Sequence, residues 1–272
     1  MRVVSPSLTA LLVVQLLLTA CPPAAPPAEG EGDDVGEGEG DDVGEGEGDD
    51  VGEGEGDDVG EGEGEGDVPV DGFGVISGDC GVLDDELSSA DPFFFDNAID
   101  FGSDGYDDPA ERDQLTDGGA RMAATPNAGG SSLFSEVFAY EVLARCEGAL
   151  LEQTETEVQY VTATSKKTDM VISIDGERYG VSVVRSFVFP PGTPLSLAEA
   201  SDRLQGKLDD ILVSSANVVP EQAWDKQLLA VIAPEPEHVA TLLEAWEGLD
   251  AATKADTIIY VTVSNGDDDF LY

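Results

Sequence analysis

Apolar residues recur at helical spacing near the middle of the chain. Leu133, Phe134, Val137, Phe138, Val142 and Leu143 fall three or four apart, which predicts a helix over 131–146. Three extended stretches follow. Residues 154–164 are rich in threonine and valine and read as a strand. Residues 168–174 and 180–189 read as a hairpin joined through Asp175-Gly176, a strong two-residue turn signal. Pro190-Pro191 stops the third strand. Ser196 with Glu199 three residues on is a capping box. It opens a helix with Leu197, Leu204, Leu208, Ile211 and Leu212 on one face. Residues 227–233 and 257–264 are near-continuous apolar runs, as expected of strands covered on both faces. Between them 237–246 is helical, with Val239, Leu242, Leu243 and Trp246 as its stripe and His238 in its first turn. The closing 266–272 reads as a solvated turn with an apolar end docked on the sheet. The order is αβββαβαβ: an α/β domain over 131–272, with a mixed β-sheet flanked by helices.

Upstream the pattern fades. Residues 77–130 are rich in glycine, aspartate and asparagine, with short apolar islands such as Phe93-Phe94-Phe95. They predict an irregular segment packed on the core, with one helix near 115–124. One stretch spaces its oxygen donors like a calcium loop. Counting from Asp100, the residues Asp104, Tyr106, Asp108 and Glu111 fall at ligand positions of a twelve-residue EF-hand loop, and Gly105 falls at its sharp turn. Gly102 and Asp107 depart from that pattern, so an acid-rich solvated turn is the competing reading.

Composition separates the remaining pieces. The formal charge over 272 residues is −46. Residues 29–68 contribute 20 acidic groups and no basic ones, as four copies of EGEGDDVG and a fifth, altered copy. Each copy carries one valine, so no face can be buried, and unopposed carboxylates repel. Residues 21–76 therefore predict a disordered tether, led by a proline-rich stretch. An uncharged coil of about 45 residues would reach roughly 40 Å. So acidic a chain also disfavours nucleic acid as a partner.

Residues 1–20 combine Arg2 with an apolar run from Leu8 to Ala20. That run is about 13 residues, or roughly 20 Å of helix, too short for a bilayer core of about 30 Å but suited to a signal peptide. Leu18-Thr19-Ala20-Cys21 then resembles the lipobox of bacterial lipoproteins. The resemblance implies cleavage before Cys21 and acylation of that cysteine. Two or three acyl chains hold a protein stably on a membrane where one does not. The expected setting is export to the bacterial cell envelope, with the membrane as partner through the lipid. With Cys21 taken, Cys80 and Cys146 remain. In an oxidising compartment such a pair is more often bridged than free.

The element order resembles that of the PD-(D/E)XK nucleases, whose core is αβββαβ. That resemblance covers 131–264. It implies an aspartate opening the second strand, a Glu-x-Lys triplet on the third and often a glutamate on the first helix, together holding a divalent cation that activates water. If Asp175 and Gly176 are the turn, Asp169 stands opposite Ser182 and takes the aspartate position. The triplet then falls on Ser182-Val183-Val184, so the glutamate has become Ser182 and the lysine Val184. Glu136 matches the first-helix acid loosely, Arg185 points to the other face, and Lys207 is a candidate displaced lysine. One aspartate facing a serine makes a weak Mg²⁺ site. The expectation is therefore a nuclease-like core that has lost its chemistry and binds an unidentified protein or ligand. The alternative is a metal-dependent nuclease using Asp169 with displaced ligands. No resident cofactor is expected, calcium at the loop and magnesium at Asp169 being the two candidates. Gly180-Val-Ser182 departs from a nucleophile elbow because Val184 replaces the second glycine.

Overall fold

The computed structural model describes residues 70–103, 105–125 and 132–272. Among them seven strands form one mixed sheet: β1 (Val75–Gly78), β2 (Phe93–Asp100), β3 (Leu150–Thr154), β4 (Met170–Ile174), β5 (Glu177–Arg185), β6 (Lys226–Ala233) and β7 (Ile258–Asn265). Their spatial order is β1-β2-β7-β6-β5-β4-β3. The inner four, β2, β7, β6 and β5, run parallel, while β1, β4 and β3 are antiparallel to their neighbours. The helices are α1 (Asp85–Ser88), α2 (Asp117–Ala124), α3 (Leu133–Glu147), α4 (Leu197–Asn217), α5 (Pro236–Gly248) and α6 (Ala251–Lys254). No helix among the described residues is long and apolar enough to cross a membrane.

The α/β reading holds, and its cause is visible in β6. Every residue of that strand is buried, because the sheet is covered on both sides. Leu228, Ala230 and Ile232 join the core that includes α3, while Leu229, Val231 and Ala233 join the one that includes α4 and α5. Ser196 caps α4 with Glu199 in the reciprocal pair its spacing predicts. Ala200, Leu204, Leu208 and Ile211 are buried, but Leu197 and Leu212 stay 43% and 39% exposed. Leu212 lies one residue, about 100° of helix, past the buried Ile211.

On the other face α2 lies close against α3. A side chain at Gly118 or Gly119 would collide with the Tyr140 hydroxyl or the Glu141 carboxylate. Thr116 caps α2, and its N–H and hydroxyl donate to the buried Glu141 at 3.0 and 2.6 Å. Arg145 donates to the carbonyls of Val70, Phe73 and Gly74 at 2.7–2.9 Å, tying the start of the described chain to α3.

Three expectations are corrected. The segment 77–130 is not irregular throughout: β1 and β2 belong to the sheet, and β2 pairs with β7 along its whole length. The α/β body thus begins near Val75 rather than at 131. The triple phenylalanine hid this strand because it lacks two-residue alternation. Its bulk is divided between the faces, Phe93 and Phe95 on the α3 side and Phe94 on the α4 and α5 side. The strand expected over 154–164 lies at 150–154 instead. Thr154 N–H donates to Glu157 at 2.8 Å, closing a turn at the sheet edge, where no further strand takes up the threonine run. β5 likewise ends at Arg185 rather than Phe189.

Candidate functional site

The β4–β5 hairpin turns through Asp175 and Gly176 with φ of 52° and 88°. Both central residues at positive φ are the signature of a turn matched to strand twist. Met170 pairs with Val181 and Ile174 with Glu177, the register the turn dipeptide dictates. One step past the ladder, Asp169 comes opposite Ser182. Its N–H donates to the Val181 carbonyl at 3.0 Å, and its Oδ2 accepts the Val183 N–H at 2.6 Å. The carboxylate here does the work of a backbone carbonyl and finishes the ladder.

Other charged groups stand around it. Glu136, buried in the first turn of α3, accepts from the Ser132 hydroxyl at 2.7 Å. Glu136, Glu155 and Asp169 line one crevice of about 20 Å³. That is room for about one water. Burial pushes the Asp169 carboxyl up to about 6, against the pull of the Lys207 charge and the Val183 N–H, with Glu155 adding to the rise. Lys207 on α4 also lines a hollow of about 290 Å³ with Ser132, Ser135, Val183, Val184 and Arg185. Ser182 is buried, and Val184 packs with the α4 and α5 core. The acid and lysine that the resemblance requires on β5 are thus a hydroxyl and an alkyl group. This is a poor donor set for Mg²⁺, which wants several hard oxygens. Among the described residues no three histidine, cysteine or acidic side chains gather at metal-ligand spacing.

The raised Asp169 carboxyl has a stability consequence. The folded state holds this proton more tightly than the ordinary value of 3.8. Its favourable contribution is therefore complete below pH 3.8 and is lost as pH rises through about 6. Asp169→Asn keeps an oxygen for the Val183 N–H and removes the buried charge. It is expected to raise stability by about 1–3 kcal/mol at pH 8, with the gain shrinking toward pH 5. Urea titrations of both proteins across that range check it; a variant less stable at pH 8 would show that Asp169 is held by charge pairing instead.

The other candidate residues are placed as follows. Asp100 Oδ1 accepts the Gly102 N–H at 2.8 Å. The Tyr106 ring packs edge-on to Phe73, Phe134 and Phe138. Asp108 and Glu111 form a capping box on the 3₁₀ turn Pro109–Gln114. All four described loop residues are thus occupied with their own turn or with the core, and Asp104 lies outside the described residues. Cys80 and Cys146 are joined in a disulfide, with Cα atoms 4.7 Å apart. Cys21, the signal peptide and the acidic repeats lie outside the described residues.

A second site was not anticipated. The parallel strands β5, β6 and β7 end together at Arg185, Ala233 and Asn265. The carboxyl ends of parallel strands are where open α/β sheets hold ligands. There Phe187, Glu235, His238, Asp268, Asp269 and Tyr272 line a cavity of about 270 Å³. His238 is 2% exposed, and its Nδ1 lies 3.1 Å from the hydroxyl of Ser186, itself fully buried. Desolvation holds the imidazole below the ordinary histidine range. The signal in the sequence was faint: polar residues just beyond the ends of apolar strands, 52 positions apart in the case of Ser186 and His238.

No family model matches this chain. It is 35% identical over 159 residues to the AAC-rich mRNA clone AAC4 protein of Dictyostelium discoideum. That match takes in 54% of this chain and 22% of the relative, so the chain spans about a fifth of the relative's length. Among solved structures it is similar to Pyrococcus furiosus SfsA in complex with Ca²⁺, at 13% identity and a TM-score of 0.26, covering 62% of this chain and 79% of that one. Neither likeness assigns a family.

Proposed function

We propose that this chain is an exported, lipid-anchored protein of the cell envelope whose nuclease-like α/β body is a binding module rather than a hydrolase. The supporting observation is the state of Asp169. Its Oδ2 is engaged by the Val183 N–H, and the strand opposite offers Ser182 and Val184 where a working nuclease needs an acid and a lysine. The anchor reading rests on Leu18-Thr19-Ala20-Cys21. The Cys80–Cys146 bond is in keeping with an oxidising compartment.

A second reading has one observation in its favour. Glu136 and Asp169 line the same crevice, and the Lys207 charge reaches Asp169. A metal-dependent nuclease would use these three. Incubation of the full chain with single- and double-stranded DNA and RNA in Mg²⁺ or Mn²⁺ separates the two readings. No cleavage is expected; cleavage that disappears in Asp169→Ala would install the second reading. For the anchor, Cys21→Ala is expected to shift the protein from the membrane to the soluble fraction, and unchanged fractionation would remove it.

A further inference from the structure

Strands β1 and β2 are fully buried on one face only. Ile76 and Ile99, paired across the two strands, are both buried on the α3 side. Side chains alternate along a strand, so Val75 and Ser77 of β1, and Phe94, Asp96, Ala98 and Asp100 of β2, turn to the α4 and α5 side. There Val75 stays 72% exposed, and Phe94 and Ala98 are half-buried. β2 runs parallel to β7, and parallel strands are ordinarily covered by helices on both faces. On this side α5 stops short. Its Val239, Ala240 and Leu243, three or four residues apart, form one wall of an open groove whose floor includes Ser77, Asp96 and Ala98. The groove encloses about 550 Å³, against about 270 Å³ for the cavity at the strand ends.

Charge decides what can cover this face. Asp96 and Asp100 alternate with the apolar residues that β2 shows there, and both are exposed. Glu247 follows Leu243 by four residues, one turn further along the same flank of α5. Among the described residues no lysine or arginine borders the groove. Residues 70–272 as a whole carry 38 acidic and 11 basic side chains. A second copy of the chain would bring the same surplus and be repelled, and so would the acidic repeats or an anionic bilayer. An apolar floor flanked by carboxylates instead complements a helix that carries aliphatic residues on one face and lysine or arginine beside them. Such a helix would lie alongside α5 as a further member of its layer, with axes about 8–10 Å apart, and the small Ala240 lets it approach.

We propose that the groove between α5 and the open face of β1 and β2 docks a cationic amphipathic helix of a partner protein. The helix's apolar anchors, at i, i+3, i+4 and i+7, fill the groove against Ala98, Val239 and Leu243, with Val75 at the outer rim. Its flanking lysine or arginine residues face Asp96, Asp100 and Glu247. This rests on the reading of the core as a binding module and names the class of partner. Cleavage of nucleic acid would sink that reading and leave the groove's occupant untouched. Failure of the groove to bind would leave the absence of cleavage as it stands.

The probe is a fluorescein-labelled peptide of leucine and lysine, about 14 residues or four helical turns long, with leucine at i, i+3, i+4 and i+7. It is titrated with the full chain at about 150 mM salt and followed by anisotropy. Saturable binding with a Kd of about 10 μM or tighter is expected. A peptide of the same charge with serine in place of leucine reads attraction to the acidic repeats alone, and should bind at least about tenfold more weakly. Val75→Glu/Leu243→Glu adds carboxylates at two exposed positions and spoils the apolar surface. It should weaken the leucine peptide at least about tenfold, although charge alone would tighten it. Equal affinity for the two peptides, a comparison that needs no variant, overturns the proposal. So does unchanged or tighter binding by the double variant, or a bound peptide without helical circular dichroism, which would indicate strand addition at β1. Sedimentation of the chain alone should give a monomer. A dimer that the double variant dissolves would assign the groove to a second copy and overturn the proposal as well.

Discussion

Breaking the bond between Cys80 and Cys146 should lower the stability of the α/β body by about 4 kcal/mol and its melting temperature by about 10 °C. The bond joins residues 66 apart in sequence. It ties the turn after β1 to the C-terminal end of α3, across the segment that contains β2. In the unfolded chain this crosslink removes the conformations in which the first two strands drift away from the rest. Without it, β1 and β2 remain in the sheet by their ladder, their packing and the hydrogen bonds of Arg145 and Glu147. Thermal melts of the oxidised protein, the reduced protein and the Cys80→Ser/Cys146→Ser variant measure the difference. Coincident melts would mean that the loop is closed just as firmly by other contacts.

The adjacent residue carries the next largest effect. Glu147 accepts the N–H groups of Gly81, Val82 and Leu83 at 3.0–3.1 Å and the Tyr260 hydroxyl at 2.8 Å. Burial, helped by this carboxylate, holds Tyr260 firmly in its phenol form. Glu147→Ala strands three donors at once on the backbone of a part-buried turn, while the Tyr260 hydroxyl keeps the Asp79 carbonyl at 3.0 Å. A loss of about 3 kcal/mol is expected, and Glu147→Gln should recover roughly half of it by keeping one acceptor oxygen. Denaturant titration gives both numbers. Because Glu147 and the disulfide hold the same turn, their losses should overlap by at least about 0.5 kcal/mol in a double-variant cycle. Strict additivity would place them in separate units of the fold.

Between α3 and β7 the architecture was legible because its signals are local. Apolar spacing marks the helices, Ser196 and Glu199 mark the start of α4, and Asp175-Gly176 sets the hairpin register residue by residue. From that register came the opposition of Asp169 and Ser182, well before any contact could be measured. Misreadings arose where the deciding partner is remote. β2 is a strand because β7, some 165 residues later, offers a parallel edge to it. The helix expected near 115–124 is present as α2, but its glycine pair is explained only by the fold, since only glycine at 118 and 119 lets it approach Tyr140 and Glu141.

Sequence by itself thus determined the α/β class and the hairpin register that sets Asp169 opposite Ser182. Tertiary structure alone decided that Asp169 completes a strand ladder and that β1 and β2 enlarge the sheet. It also decided that His238, Asp268 and Tyr272 meet at one cavity. The physical reason is reach. Periodicity, capping and turn chemistry act within a few residues, whereas a cavity at the ends of three parallel strands is built from segments that only the folded sheet brings side by side.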